Sequence, residues 1–278
     1  MKMLLCSIGS KQRRATLRFG AAVARALRAD VTLLGVVDKE RQVAELGSML
    51  DEIAHELAEW SLPVQSRVWT GNAEEIVLAE LDSTIYDLVV LGALGDKRSR
   101  KSFLSSVAMR IIEQAKTSVL VVKGGRETLS RILIGASGSE IGHLVVWAGA
   151  ALACGAEAQA TVLHVIDALP AMYTGLEQME ETLVEFLQAD TEAAREIKWA
   201  AQVVKAECEI SEVKLRRGIA ADEILREGEV GEHDLIVIGS SRSAGGLVRA
   251  LMGDLTREIV TRAKRPVLVV RPLDREPV

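Results

Sequence analysis

The sequence predicts an α/β protein built from two tandem copies of one domain, each with a parallel sheet. The first observation is length, because 278 residues suffice for two ordinary domains. The second is an internal repeat. The run Leu4–Ser10 returns as Leu133–Ser139, 129 residues further on, and four more blocks recur in the same order. The third is the alternation inside each copy. Short, continuous, β-branched apolar runs alternate with longer segments of helical period, the pattern of strands buried on both faces.

Taken in order, the first strand is the apolar run Met3 to Ile8. Arg13 to Leu27 reads as a helix, with Leu17, Ala21, Ala24 and Leu27 on one face and Arg14, Arg18, Arg25 and Arg28 on the other. The second strand, Val31 to Asp38, recurs as Ala160 to Asp167, again 129 residues apart. Gly71 and Gly218 match at a spacing of 147, so the second copy holds 18 extra residues. These fall between Ala171 and Cys208, where Glu177, Glu180, Glu181, Glu185, Asp190 and Glu192 predict one lengthened amphipathic helix. The fourth strand, Tyr86 to Gly92, recurs as His233 to Gly239, and the fifth, Val119 to Val122, as Val267 to Val270. Lys123 to Ser130 reads as a short polar linker with a boundary near Arg126, which gives domains 1–125 and 126–278. Leu144 to Ala156 is the longest uncharged run. It is shorter than the ~20 residues of a membrane span and reads as a buried helix.

Composition narrows the function. Aromatic residues are 3% of the chain, too few for base-stacking platforms, and a net charge of −5 argues against a phosphate-backbone binder. Cys6, Cys154 and Cys208 form no CxxC pair, which points to a reducing compartment and to buried structural thiols. The first apolar run is too brief for a signal peptide, so a cytoplasmic location is expected. His55, His143, His164 and His233 have no metal-ligand spacing, and neither a GxSxG elbow nor a GxGxxG fingerprint follows a strand. With no general base or nucleophile in view, catalysis is not expected. Asp38 and Asp167, at the ends of the second strands, read as helix caps.

The loop after the fourth strand carries the candidate chemistry. It runs from Gly92 through Gly95 to Ser105 and Ser106, with Lys97, Arg98, Arg100 and Lys101 between. A strand ending in glycine, a basic loop and hydroxyls opening a helix would gather backbone N–H groups around phosphates. The same residues also read as a turn with a solvated charge run and an ordinary N-cap at Ser105 or Ser106. The first 125 residues carry 17 Lys and Arg against 15 Asp and Glu, a net of +2, while the remainder carries −7. An anion is therefore favoured in the first copy.

These blocks resemble tandem universal stress protein domains. The likeness runs through all five strands of both copies, the second-strand endings Val36-Val37-Asp38 and Val165-Ile166-Asp167, and the loop pattern G-x2-G-x9-G-[S/T]. It implies in each copy a five-stranded parallel sheet of order 3-2-1-4-5 with helices on both faces. Some members of the family bind ATP and some do not. In those that do, the loop wraps the phosphates, the main chain at the end of the second strand holds adenine, and an aspartate after strand one contacts the nucleoside.

By this resemblance Val36 is the adenine position, and Gly92, Gly95, Ser105 and Ser106 form the phosphate loop, with Ser105 where the family has a third glycine. The aspartate is missing, its place taken by Ile8 and, in the second copy, by Ser137. Ile8 reads as a core residue, as do His164 and Val165. In the second copy Arg242 replaces the second glycine, and Asp254 reads as the N-cap of the following helix, where its carboxylate would repel phosphate. The resemblance thus implies ATP in the first copy alone, with Mg²⁺ left open, in a stress-response regulator that lacks catalysis and has neither nucleic acid nor membrane as partner. The alternative is a nucleotide-free scaffold acting through protein partners. The family commonly dimerises through the fifth strand, so the two copies are expected to pair there, with a homodimer of chains left open.

Overall fold

The computed structural model describes residues 1–8, 13–93, 106–124, 128–137, 139–166, 183–208, 211–240 and 247–272. The first half runs β1 (Lys2–Ile8), α1 (Arg13–Leu27), β2 (Asp30–Val37), α2 (Val43–Glu59), β3 (Val64–Thr70), α3 (Ala73–Ser83), β4 (Leu88–Gly92), α4 (Ser106–Gln114) and β5 (Ser118–Val122). The second runs β6 (Arg131–Gly135), α5 (Glu140–Ala156), β7 (Gln159–Ile166), α6 (Leu183–Gln188), α7 (Glu192–Glu207), β8 (Ser211–Arg217), α8 (Ala220–Val230), β9 (Leu235–Gly239), α9 (Leu247–Arg262) and β10 (Val267–Val270). The boundary expected near Arg126 lies outside the described residues.

Within each half the strands are parallel and follow the order 3-2-1-4-5. The two fifth strands, β5 and β10, pair antiparallel, with Val121 opposite Val267, Leu120 opposite Leu268 and Val119 opposite Val269. The result is one ten-stranded sheet, β3-β2-β1-β4-β5-β10-β9-β6-β7-β8. Pairing removes the two apolar edges that β5 and β10 would otherwise present. The outermost strand on one side, β8, carries Glu212, Lys214, Arg216 and Arg217, charges that discourage further pairing.

Strand alternation divides the core into two layers. Met3 and Leu5 face a layer with Leu17, Ala21 and Ala24 of α1, Leu46 and Leu50 of α2, Val145 and Ala150 of α5, and Val203 and Val204 of α7. Leu4, Cys6 and Ile8 face the other layer, with Val77 of α3, Ile111 of α4, Ile224 of α8 and Ile259 of α9. Both layers cross from one half into the other. At the crossing of α1 and α5, a Cβ on Gly155 would stand 1.9 Å from the Ala26 carbonyl oxygen, so only glycine permits that approach.

Three expectations are corrected here. Residues 171–182, with Glu177, Glu180 and Glu181, lie outside the described residues; among the described residues of the extra segment there are two helices, α6 and α7, in place of one lengthened helix. Thr191 starts α7 afresh by accepting a hydrogen bond from the Ala194 N–H at 3.1 Å, and Phe186 of α6 packs with Ala194 and Ile197 in a small separate cluster. Lys123, read as the start of a short polar linker, is buried at 3% exposure. Cys154 is exposed, whereas Cys6 and Cys208 are buried as expected.

Candidate functional site

The strand order reverses between β1 and β4. The chain leaves β1 for α1 on one face of the sheet, while α4, after β4, packs on the other, which makes the carboxyl ends of these two strands the topological switch point. Of the sequence-predicted site residues, Gly92 ends β4 and Val36 lies near the end of β2, beside β1. Ile8, at the missing aspartate position, is the register partner of Val36 across β1 and β2. Both side chains are buried, Ile8 at 4% and Val36 at 2% exposure, in the layer that also holds Val89 and Leu91. Ile8 is thus the core residue that its chemistry foretold, and the Val36 side chain belongs to the core as well.

Gly92 closes β4. A Cβ there would lie 2.7 Å from the Thr16 hydroxyl oxygen, so the glycine lets α1 lie directly against the strand end. Thr16 is a buried polar residue that the sequence reading missed; its only signal was a hydroxyl next to Leu17 on the buried face of the first helix. Next to Gly92, the Ala93 N–H donates to the Val122 carbonyl at 2.9 Å and continues the ladder by one residue. Ser106 is the first residue of α4. Gly95, Ser105 and the basic run Lys97 to Lys101 lie outside the described residues.

The rim near β2 and β3 is built from short polar contacts. The Gly71 N–H donates to the Val37 carbonyl at 3.0 Å, and the Thr70 hydroxyl donates to Glu40 Oε2 at 3.1 Å. Asp38 is exposed at the end of β2. It does not cap the following 3-10 turn, whose N-cap is Lys39, with no side-chain bond, contrary to the expectation for this acid. Asp167 lies outside the described residues.

The equivalent site of the second half is arranged differently. Ser137 is exposed, with its hydroxyl oxygen 3.0 Å from that of Ser139, and Ser139 caps α5 by accepting from the Gly142 N–H at 3.3 Å. His164 is half-buried, its Nδ1 3.1 Å from the Ala136 carbonyl oxygen, and its ring lies 5.6 Å from that of Phe186. His164 and Val165 therefore sit at the margin of the core rather than inside it. Thr256 of α9 donates its hydroxyl to the Gly239 carbonyl at 3.1 Å, tying this helix to the end of β9. Asp254 is not an N-cap. It lies inside α9, which begins at Leu247, because Leu247, Arg249, Ala250, Leu251 and Met252 are strong helix formers and carry the helix through this point. Arg242 lies outside the described residues.

Two doubly wound halves joined edge to edge, each with a point where its strand order reverses, define a tandem α/β protein. The universal stress protein family model matches residues 1–123 and 128–271. The chain belongs to the universal stress protein family. A universal stress protein of Methanocaldococcus jannaschii is 28% identical over 159 residues, 56% of this chain and 90% of that protein. Among solved structures, a functionally unknown protein of Pseudomonas aeruginosa PAO1 superposes with a TM-score of 0.72 at 19% identity, covering 98% of this chain and 93% of the other. A universal stress protein of Archaeoglobus fulgidus DSM 4304 gives a TM-score of 0.69 at 17% identity, covering 97% and 98%. At these identities the two structures establish the shared fold.

Proposed function

We propose that this universal stress protein binds an adenine nucleotide, ATP, at the strand ends of its first half and acts as a cytoplasmic stress-response regulator without catalysis. The reading treats 1–125 and 126–278 as the two units and assigns the nucleotide to the first. The observation that carries it is the meeting of Ile8, Val36 and Gly92 at one switch point, the place where open α/β sheets take ligands. Val36 would offer main chain to the base, and Gly92, Gly95, Ser105 and Ser106 would offer backbone N–H groups and hydroxyls to the phosphates. Ile8, Val36 and Gly92 themselves carry no acid, base or nucleophile, and the reading assigns them binding rather than chemistry. Mg²⁺ would enter, if at all, on the phosphates. Among the described residues no helix is long and apolar enough to cross a membrane.

The second reading is a nucleotide-free scaffold acting through protein partners. Ile8 favours it, since a buried isoleucine offers no hydrogen bond where ATP-binding relatives use an aspartate. Mass spectrometry of the purified, denatured protein separates the two. Under the first reading ATP or AMP is released, calorimetry gives one site per chain, and Gly95→Asp abolishes it. Absence of copurified nucleotide together with no heat at millimolar ATP establishes the scaffold instead.

A further inference from the structure

Two cations cross between the halves in opposite directions. Lys123 immediately follows β5 in the first half, and its ammonium donates to the carbonyls of Val260, Thr261 at 3.1 Å and Ala263 at 3.0 Å, at the end of α9 in the second half. Arg271 immediately follows β10 in the second half, and its guanidinium donates to the carbonyls of Ile112 and Ala115, at the end of α4 in the first half. The two sets are equivalent under the repeat: Lys123 matches Arg271, Ile112 matches Val260 and Ala115 matches Ala263, each at the spacing of 148 that relates Val119 to Val267. Both cations are buried, at 3% and 7% exposure.

The chemistry of a helix end explains the placement. The last four carbonyls of a helix lack an intrahelical partner and carry the negative end of its dipole. A buried cation among them gives its N–H groups to these carbonyl acceptors, through charge-assisted hydrogen bonds. Burial pushes the Lys123 ammonium down to about 8, which keeps it charged at neutral pH. The fork of Arg271 spans carbonyls three residues apart on α4, and its own N–H donates to the Ser118 hydroxyl at 3.1 Å, a further link between halves.

We propose that Lys123 and Arg271 form a reciprocal latch, through which each half holds the end of the helix that precedes the other half's fifth strand, so that α4 and α9 open only when the interface opens. The latch is independent of any ligand at the loop before α4. Its signature is a crossed effect: a change in one half loosens a helix in the other. Hydrogen exchange followed by mass spectrometry on the full chain reads it. Arg271→Met, which keeps the apolar stem and removes the donors, is expected to speed exchange in residues 106–114 at least about tenfold, a change of about 1.4 kcal/mol. Lys123→Met is expected to do the same for residues 255–262. Should either fail to fold, Arg271→Lys and Lys123→Arg keep a cation at each end and are read in the same peptides, with an intermediate rise expected for Arg271→Lys, which loses the fork. Exchange that rises only in the half carrying the substitution, with the opposite helix unchanged, overturns the latch.

Discussion

Gly92 shows how one missing side chain sets a distance. Thr16 lies so close that a methyl group at position 92 would meet its hydroxyl at 2.7 Å, and both residues sit between α1 and the end of β4, where neither backbone can retreat freely. Gly92→Ala is therefore expected to cost roughly 1–3 kcal/mol in chemical denaturation. Adding Thr16→Ala removes the obstructing hydroxyl, so the double variant should lose less than the sum of the two single losses; strict additivity would show that the contact is absent. His233 is a second test at this scale. Burial pushes its imidazole below the ordinary value, Arg131 and Lys214 act in the same direction, and the Glu227 carbonyl and carboxylate only partly oppose them. The unfolded chain thus takes up a proton near pH 6.5 that the folded chain refuses, so stability is complete above that pH and falls below it. The melting temperature should drop between about pH 7.5 and 5.5, and His233→Tyr should flatten that slope. Tyrosine is what the first half uses at the equivalent Tyr86, whose hydroxyl donates to Glu80 Oε1 at 2.7 Å. A slope unchanged in the variant would assign the acid sensitivity elsewhere.

Among the elements, β10 is paired on both sides and, with β5, joins the halves. Leu268 lies opposite Leu120 there and is buried. Leu268→Lys would strand an ammonium in the middle of the sheet, at a cost on the order of 3 kcal/mol or more, with a lowered melting temperature and aggregation through the freed edge of β5. Wild-type melting in that variant would contradict the pairing. Much at this scale was legible beforehand. Helix α1 occupies the span that the spacing of Leu17, Ala21 and Ala24 marked, since side-chain period records which face is buried. The split between α6 and α7 had a local sign, Thr191 followed by Glu192, that a single amphipathic run overrode. The early start of α9 was masked by likeness to the first half, where the matching position, Ser106, is the first residue of α4.

At the scale of the molecule, duplication supplied not only two sheets but matched interactions. Arg67 pairs with Glu80 at 3.5 Å as Lys214 does with Glu227 at 2.9 Å, and Asp87 and Asp234 each accept a hydrogen bond from the main chain at the start of the first strand of their own half. The sequence by itself determined the duplication, the α/β class, and the positions of most strands and of helices α1 and α5, because these rest on local period and on repeated blocks that any linear reading exposes. Likeness to a family added the strand order and named Val36 and Gly92. Tertiary structure alone decided that Thr16 presses on Gly92, that Asp254 lies within a helix and that Lys123 leaves a polar stretch to end α9. The last contact joins residues 137 apart in the chain, and no local pattern specifies a partner that only folding brings within reach.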